Sequence, residues 1–256
     1  MIEALTAPPY ADAATVALIA AIFVLAGFVK GVVGMGLPTV AVGLLGLFMA
    51  PVQAAALLII PSLVTNVWQL LGGPSLRRIG ARLATMLIGV LAGTIALAGL
   101  MQAGSGGGAR LALGLSLLAY ALAGLARVRF TVTRARERWL SPLIGAVTGG
   151  ISAATGVFVV PAVAYLQSLD LGKEELIQAL GLSFTVSTIG LAIGLGAQGR
   201  FDGATTLRSL LALLPALAGM AIGTALRRRL SEAAFRRGFF VGLALLGAHL
   251  IYGAWR

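Results

Sequence analysis

Ten apolar stretches follow one another along this chain with hardly a charge inside them: about 13–33, 36–50, 52–72, 81–102, 109–126, 139–155, 156–169, 175–197, 206–226 and 238–255. Most approach the roughly 20 residues that a helix needs to cross a bilayer. Of the whole chain 59% is hydrophobic and only 11% charged, where a soluble domain carries about a quarter charged residues. Backbone polar groups in lipid must be satisfied within the segment, which leaves helices or a closed barrel. The strict alternation of a barrel strand is missing, so the expected fold is an all-α polytopic membrane protein.

The segments at 36–50 and 156–169 are short for a full span and are expected as half-helices or re-entrant pieces. Each follows a glycine-rich, hydroxyl-bearing break: Gly27 to Pro38 in the first half and Gly145 to Pro161 in the second. Paired breaks at matching positions of two halves are a sequence pointer to the binding site of a secondary transporter. The halves match further: Gly89-x-x-x-Gly93-Thr94 parallels Gly219-x-x-x-Gly223-Thr224, Gly114 parallels Gly242, Ser62 parallels Ser183 and Asn66 parallels Ser187. The expected organisation is one membrane domain of two inverted repeats, 1–128 and 138–256, joined by a basic linker over 127–138. Pro61 and Pro215 lie mid-segment and should kink their helices.

Charge supports the segment count. Thirteen arginines fall in three loops, around Arg77 to Arg82, Arg127 to Arg138 and Arg227 to Arg237. With ten crossings all three loops share one side, as the enrichment of basic residues in cytoplasmic loops requires. Both termini are then non-cytoplasmic, in a bacterial inner membrane. The net charge of +11 reads as topology signal, and no nucleic-acid partner is expected. Residues 1–12 hold Glu3 and Asp12 and no basic residue, so no cleavable signal peptide is expected. Cysteine is absent, which excludes disulfides and thiolate metal sites. Neither metal nor cofactor is expected.

All eight carboxylates (Glu3, Asp12, Glu137, Asp170, Glu174, Glu175, Asp202 and Glu232) lie at or beyond segment ends. Proton or sodium relays generally need an acid within the membrane, so cation transport is disfavoured. Lys30 is the one charge well inside a span. It is either a counter-charge for an anionic substrate or a side chain reaching back to the headgroups. Gly34, Gly36, Thr155 and Gly156 open the two short segments. A helix starting there would aim free N–H groups at an anion; equally, the glycines would allow close helix packing. For Gly27/Gly31, Gly89/Gly93, Gly145/Gly149 and Gly219/Gly223 packing is the expected role. Ser62, Thr65, Asn66 and Gln69 share a face of one segment, and Ser183, Ser187 and Thr188 a face of another. Their polar groups bond either a substrate or a neighbouring helix. The candidate binding set is Lys30, Gly34, Gly36, Ser62, Asn66, Ser152, Thr155, Gly156, Ser183 and Ser187. His249 is read as structural, and Trp68, Trp139 and Trp255 as interface anchors.

These two blocks, Gly27 to Pro38 with the helix through Ser62 and Gly145 to Pro161 with the helix through Ser183, resemble the sulfite exporter TauE/SafE family of membrane permeases. The second half keeps Thr155-Gly156-Val-Phe-Val-Val-Pro161, whereas Gly34-Met-Gly36-Leu-Pro38 departs from the pattern with its proline early. The resemblance implies seven or eight helices and transport of sulfite, organosulfonates or related sulfur anions, often outward. An inside-negative potential drives a monoanion out with about 2.3 kcal/mol per charge per 100 mV. Export therefore needs no coupling ion, while uptake would need a carboxylate that the spans lack. The expected activity is alternating-access export of a small sulfur oxyanion; the alternatives are an anion channel or, with Ser183 and His249 as the reacting pair, a membrane-embedded enzyme. The expected partners are a small anion and the bilayer, and glycine-rich faces permit a homodimer.

The native chain has no cysteine, so single cysteines introduced at Arg134 and at Ala254 report sidedness directly. The expected outcome is that a membrane-impermeant maleimide labels intact spheroplasts at 254 and not at 134; the reverse pattern overturns the topology.

Overall fold

A computed structural model of the chain describes residues 12–100, 107–126, 130–227 and 229–255, without the side chain of Glu232. Arg127, Arg129, Arg228, Arg256 and Glu3 lie outside the described residues, and so does the start of the linker. Ten helices and no strands are present among the described residues: α1 (Ala13–Val33), α2 (Leu37–Leu45), α3 (Pro51–Leu71), α4 (Leu76–Ala96), α5 (Gly107–Leu125), α6 (Arg134–Thr155), α7 (Ala162–Gln167), α8 (Lys173–Ala197), α9 (Gly203–Leu226) and α10 (Glu232–Ala254). Each falls within or close to one of the ten apolar stretches. Seven of them, α1, α3, α4, α5, α8, α9 and α10, are long and apolar enough to cross a membrane. The protein is a polytopic membrane protein. The 22 residues of α6 are long enough to span as well, but its first turns carry Arg134, Arg136, Glu137 and Arg138, which dilute its hydropathy.

Two helix pairs make the closest backbone contacts of the bundle. On α1 and α9, a Cβ added to Gly27 would lie 2.0 Å from the carbonyl oxygen of Ala216, one on Gly31 2.3 Å from that of Met220, one on Gly219 1.9 Å from that of Val24 and one on Gly223 2.2 Å from that of Phe28. On α4 and α6 the same contact recurs: Gly145 faces the Met86 carbonyl at 2.1 Å, Gly149 that of Val90 at 2.3 Å, Gly89 that of Pro142 at 2.5 Å and Gly93 that of Ala146 at 2.4 Å. Lipid tails are as apolar as leucine, so helices associate through close packing, and small residues four apart make that approach possible. All four glycine pairs expected to pack therefore do. In both cases the partners come from opposite halves of the chain. The parallel between Gly114 and Gly242 has no such counterpart: Gly114 meets the Gly247 carbonyl at 2.8 Å, while Gly242 faces open space.

Helix ends gather at one end of the bundle. The guanidinium of Arg82, near the start of α4, grips both oxygens of Glu137 near the start of α6, at 2.6 and 2.9 Å, and donates to the Leu169 carbonyl at 2.7 Å. Gln178 near the start of α8 donates to the carbonyls of Leu70 and Gly73 at the end of α3, and accepts from the Ser75 amide. Arg78 pairs with Glu175. The end of α1 lies beside the end of α9, where Gly31 meets Thr224, and the end of α5 beside the start of α10, where Gly124 meets Phe240. The described arginines of all three loops therefore share one end.

The return of residue 169 to that end settles how the short segment 156–169 is built. α6 carries the chain about 33 Å at 1.5 Å per residue over its 22 residues, and residues 156–169 bring it back. α7 is only six residues long, about 9 Å of helix. The rest is covered by residues 156–161, which are not helical; unwound chain advances up to about 3.5 Å per residue. The run Val157-Phe-Val-Val before Pro161 resists helix, because β-branched side chains crowd the preceding turn and a residue before proline avoids the α region. A helix opening at Thr155-Gly156, as the sequence suggested, is therefore not what forms. Thr155 ends α6, and Gly156 is its cap, at φ 72°, with its N–H bonded back to the Ser152 carbonyl. In the first half Gly34 caps α1 at φ 81° and Gly36 starts α2 at φ 103°, with Pro38 in its first turn.

Replacing Gly219 by alanine should lower stability in detergent by about 1–3 kcal/mol, because a Cβ has no room against the Val24 backbone. Gly242→Ala, with open space around it, should be neutral or gain up to about 1 kcal/mol from helix propensity. Thermal unfolding of the two variants side by side tests this; equal melting temperatures would remove the backbone contact as the cause.

Candidate functional site

Where α1, α3 and α8 meet, a file of polar side chains runs through an otherwise apolar core. Lys30 on α1 is 4% exposed, and Ser62 and Asn66 on α3 are wholly buried. The Lys30 ammonium donates to the Asn66 side-chain carbonyl. The Asn66 amide nitrogen donates to Ser62 Oγ at 2.9 Å, and Ser62 Oγ lies 3.2 Å from Thr188 Oγ1 on α8. A helical side chain leans toward its helix N-terminus. For Lys30, four residues from the C-cap of α1, that direction is into the bundle and away from the nearer end. Its burial and its bond to Asn66 hold the ammonium group between α1 and α3. Among the described residues no carboxylate pairs with it: the ion pairs found are Arg78 with Glu175, and Glu137 with Arg82 and Arg134.

α3 carries Pro61 within the helix, beside this polar file. Pro61 lacks an N–H, so the Leu57 carbonyl has no helical donor. Ser209 on α9 supplies one: its hydroxyl donates to the Leu57 carbonyl at 2.8 Å and accepts from the Ile60 amide at 3.0 Å. This gap in the helical hydrogen bonds lies just before Ser62 and is filled from outside the helix. Thr65 bonds the Pro61 carbonyl at 2.7 Å, and Gln69 the Ile177 carbonyl at 2.9 Å. These two members of the polar face of α3 serve the helices rather than the site.

On α8 the hydroxyls of Ser183 and Ser187, one turn apart, are buried without a hydrogen-bond partner among the described residues, and so is that of Thr39 on α2. A buried hydroxyl left unpaired costs about 1–3 kcal/mol, so three in one protein mark places where a ligand would find donors. Ser152 and Thr155 are employed differently. Thr155 Oγ1 donates to the Ile151 carbonyl at 2.7 Å and accepts from the Val157 amide at 3.1 Å, and Ser152 Oγ donates to the Val157 carbonyl at 3.4 Å. Both fasten the break at the end of α6. Gly156 abuts α2 and α3 at Val42 and Ala55, whereas Gly36 abuts Val29 and Phe239 and Gly34 has nothing within 4 Å of an added Cβ. The two breaks thus do not meet face to face; the second lies against the middle of α2.

Sequence reasoning brought Lys30, Asn66, Ser62 and the serines of α8 into view. It missed Thr39, Ser209 and Gln178. Ser209 had a detectable signal, since a mid-helix proline always leaves a carbonyl in need of a donor. Thr39 had none, because a threonine in a helix usually bonds its own backbone. His249 stands exposed on α10, whereas Ser183 is wholly buried on α8. Trp68, Trp139 and Trp255 are 74, 72 and 80% exposed near helix ends, as interface anchors should be. Two shallow grooves, of about 480 and 350 Å³, are apolar and belong to the outside of the bundle: one between α4, α5 and α6 around Leu97, Ala112 and Val147, the other between α1 and α2 around Leu25 and Phe48. The polar file opens into neither.

The family model described as sulfite exporter TauE/SafE matches residues 19–250 of the chain. No curated protein and no solved structure matches it.

Ser183→Ala and Ser187→Ala each remove a hydroxyl that bonds nothing in the protein. Their unfolding free energies should stay within about 0.5 kcal/mol of the parent or rise. A loss above about 2 kcal/mol in chemical denaturation would mean that the hydroxyl has a protein partner.

Proposed function

This chain belongs to the sulfite exporter TauE/SafE family, a family of membrane transporters of sulfite and related sulfur anions, and on that premise we propose that it carries a small sulfur-containing oxyanion outward across the bacterial inner membrane by alternating access. The observation that carries the reading is Lys30: a buried ammonium group bonded to an amide oxygen, with no carboxylate partner among the described residues. An isolated buried charge is strongly disfavoured unless paired. An anion from the cytoplasm would complete it, with Asn66 and Ser62 beside it, Gly34 with open space around it, and Gly36 packed against Val29 and Phe239 at the start of α2. The unpartnered hydroxyls of Ser183 and Ser187 are donors of the kind an oxyanion needs. Ser152, Thr155 and Gly156 shape the second break and would act by moving it.

The two glycine-bonded pairs support the inverted-repeat reading. If 1–128 and 138–256 are inverted copies, α1 corresponds to α6 and α4 to α9, and the pairs α1–α9 and α6–α4 become the same pair seen twice. Each pair then joins the halves and moves as one body, while α3 and α8 cross between them at the polar file. The shared end of the arginine loops is the cytoplasmic end in this reading. The acids of the described helices, Glu137, Glu174 and Glu175 among them, sit in first turns and leave the middle of the spans without one to carry a coupling proton or sodium ion, so in this reading the membrane potential drives export.

Reconstitution in liposomes tests the proposal. Sulfite efflux should be saturable and should accelerate under an inside-negative potassium diffusion potential. Lys30→Met should weaken the apparent affinity about tenfold to a hundredfold, since a hydrogen bond to a charged group contributes about 1.5–3 kcal/mol. An affinity unchanged by Lys30→Met removes the lysine from the site, and efflux that ignores the potential while following a pH gradient overturns the driving force.

A further inference from the structure

The hydrogen bonds that leave Lys30 have a single direction, and Thr188 sets it. Thr188 Oγ1 donates its proton to the carbonyl of Phe184, 2.7 Å away on its own helix. A threonine hydroxyl has one proton, so toward Ser62 at 3.2 Å Thr188 only accepts. Ser62 therefore donates to Thr188 and presents a lone pair to Asn66, whose amide nitrogen donates to it at 2.9 Å. With its nitrogen committed to Ser62, Asn66 turns its carbonyl oxygen to Lys30. The opposite arrangement is a real competitor. Were Ser62 to donate to Asn66, the amide would turn over and its NH₂ would face the ammonium group, donor against donor. Lys30, Asn66, Ser62, Thr188 and Phe184 are all 4% exposed or less, so the choice rests with the side chains themselves.

We infer that Thr188 is a positioning residue for the anion site: by accepting the Ser62 proton it fixes the orientation of the Asn66 amide, and through it the place of the Lys30 ammonium. The second half of the chain thus sets the geometry of a cation that belongs to the first. An ammonium group has three donors; with one held by Asn66, the others keep a fixed direction toward an oxyanion. The transport readout of this inference rests on the anion-carrier reading, and its chemical readout does not.

Thr188→Val keeps the shape and removes the acceptor; Thr188→Ser keeps the hydroxyl and controls for folding. The chain has two lysines, Lys30 and Lys173, and Lys173 is exposed, so it serves as an internal reference. The full-length protein is treated briefly with acetic anhydride, and acylation at each lysine is read by peptide mass spectrometry. Thr188→Val should change the Lys30-to-Lys173 ratio at least threefold, and Thr188→Ser should leave it at the parent value. A ratio that is the same in Thr188→Val and the parent overturns the assignment. In liposomes, Thr188→Val should raise the half-saturating sulfite concentration about five- to tenfold with the maximal rate within twofold, and should add nothing in a Lys30→Met background. A merely structural role would lower the maximal rate or add its loss to that of Lys30→Met, and either result counts against positioning. If the parent moves neither sulfite nor an organosulfonate, the carrier reading fails by itself and the acylation ratio alone decides the role of Thr188.

Discussion

The bundle depends on backbone meeting backbone. Four glycines on each of two helix pairs let carbonyl oxygens of one helix sit where side chains would otherwise stand. In lipid there is no hydrophobic force to bring helices together, so the association rests on dispersion contacts and on weak polar contacts at short range. Both pairs join the first half of the chain to the second. Neither half can form its tightest interface alone, and the remaining helices, α3 and α8 above all, are placed between bodies whose separation the glycines set.

That placement gives the polar file its character. Pro61 frees a carbonyl within α3, and Ser209 from α9 takes it up. Directly after Pro61 come Ser62 and Asn66, which receive Lys30 from α1 and meet Thr188 from α8. The ionic contacts lie elsewhere, at the end where the arginine loops gather, with Arg82 and Glu137 tying α4 to α6. The carboxylates thus neutralise arginines at the end of the bundle and leave the interior cation without one. That end keeps a large excess of arginine over carboxylate, and the buried lysine has none of the few acids beside it.

Much of this was legible in the residues, for different reasons in each case. Pairs such as Gly145 and Gly149 announce helix packing because a four-residue spacing puts both on one face and nothing but a neighbouring backbone uses the space. Lys30 stands out because a lone charge in an apolar run has few uses. The break at Gly156 was legible as a break but not in its form. A glycine followed by an apolar run and a proline reads as the start of a helix, yet the chain ends one there. What decided it was the need to bring residue 169 back beside Arg82 with too few residues for a helix to do so. Thr188 could be placed on a polar face with Ser183 and Ser187, but not distinguished from them; only the neighbour across the helix interface separates a hydroxyl that accepts a proton from two that have no partner.

Composition and period determined the class of protein, the number of apolar segments, the small-residue faces and the poverty of acids in the spans, because these follow from what a bilayer tolerates residue by residue. The tertiary structure decided which helices pair, where the short segments run, and in which direction hydrogen bonds flow from Lys30. Those depend on atoms far apart in the chain: a carbonyl freed by Pro61 finds its donor at Ser209, and an amide on α3 takes its orientation from a threonine on α8. No local pattern contains that information, because a hydrogen bond has a direction only once both of its partners are in place.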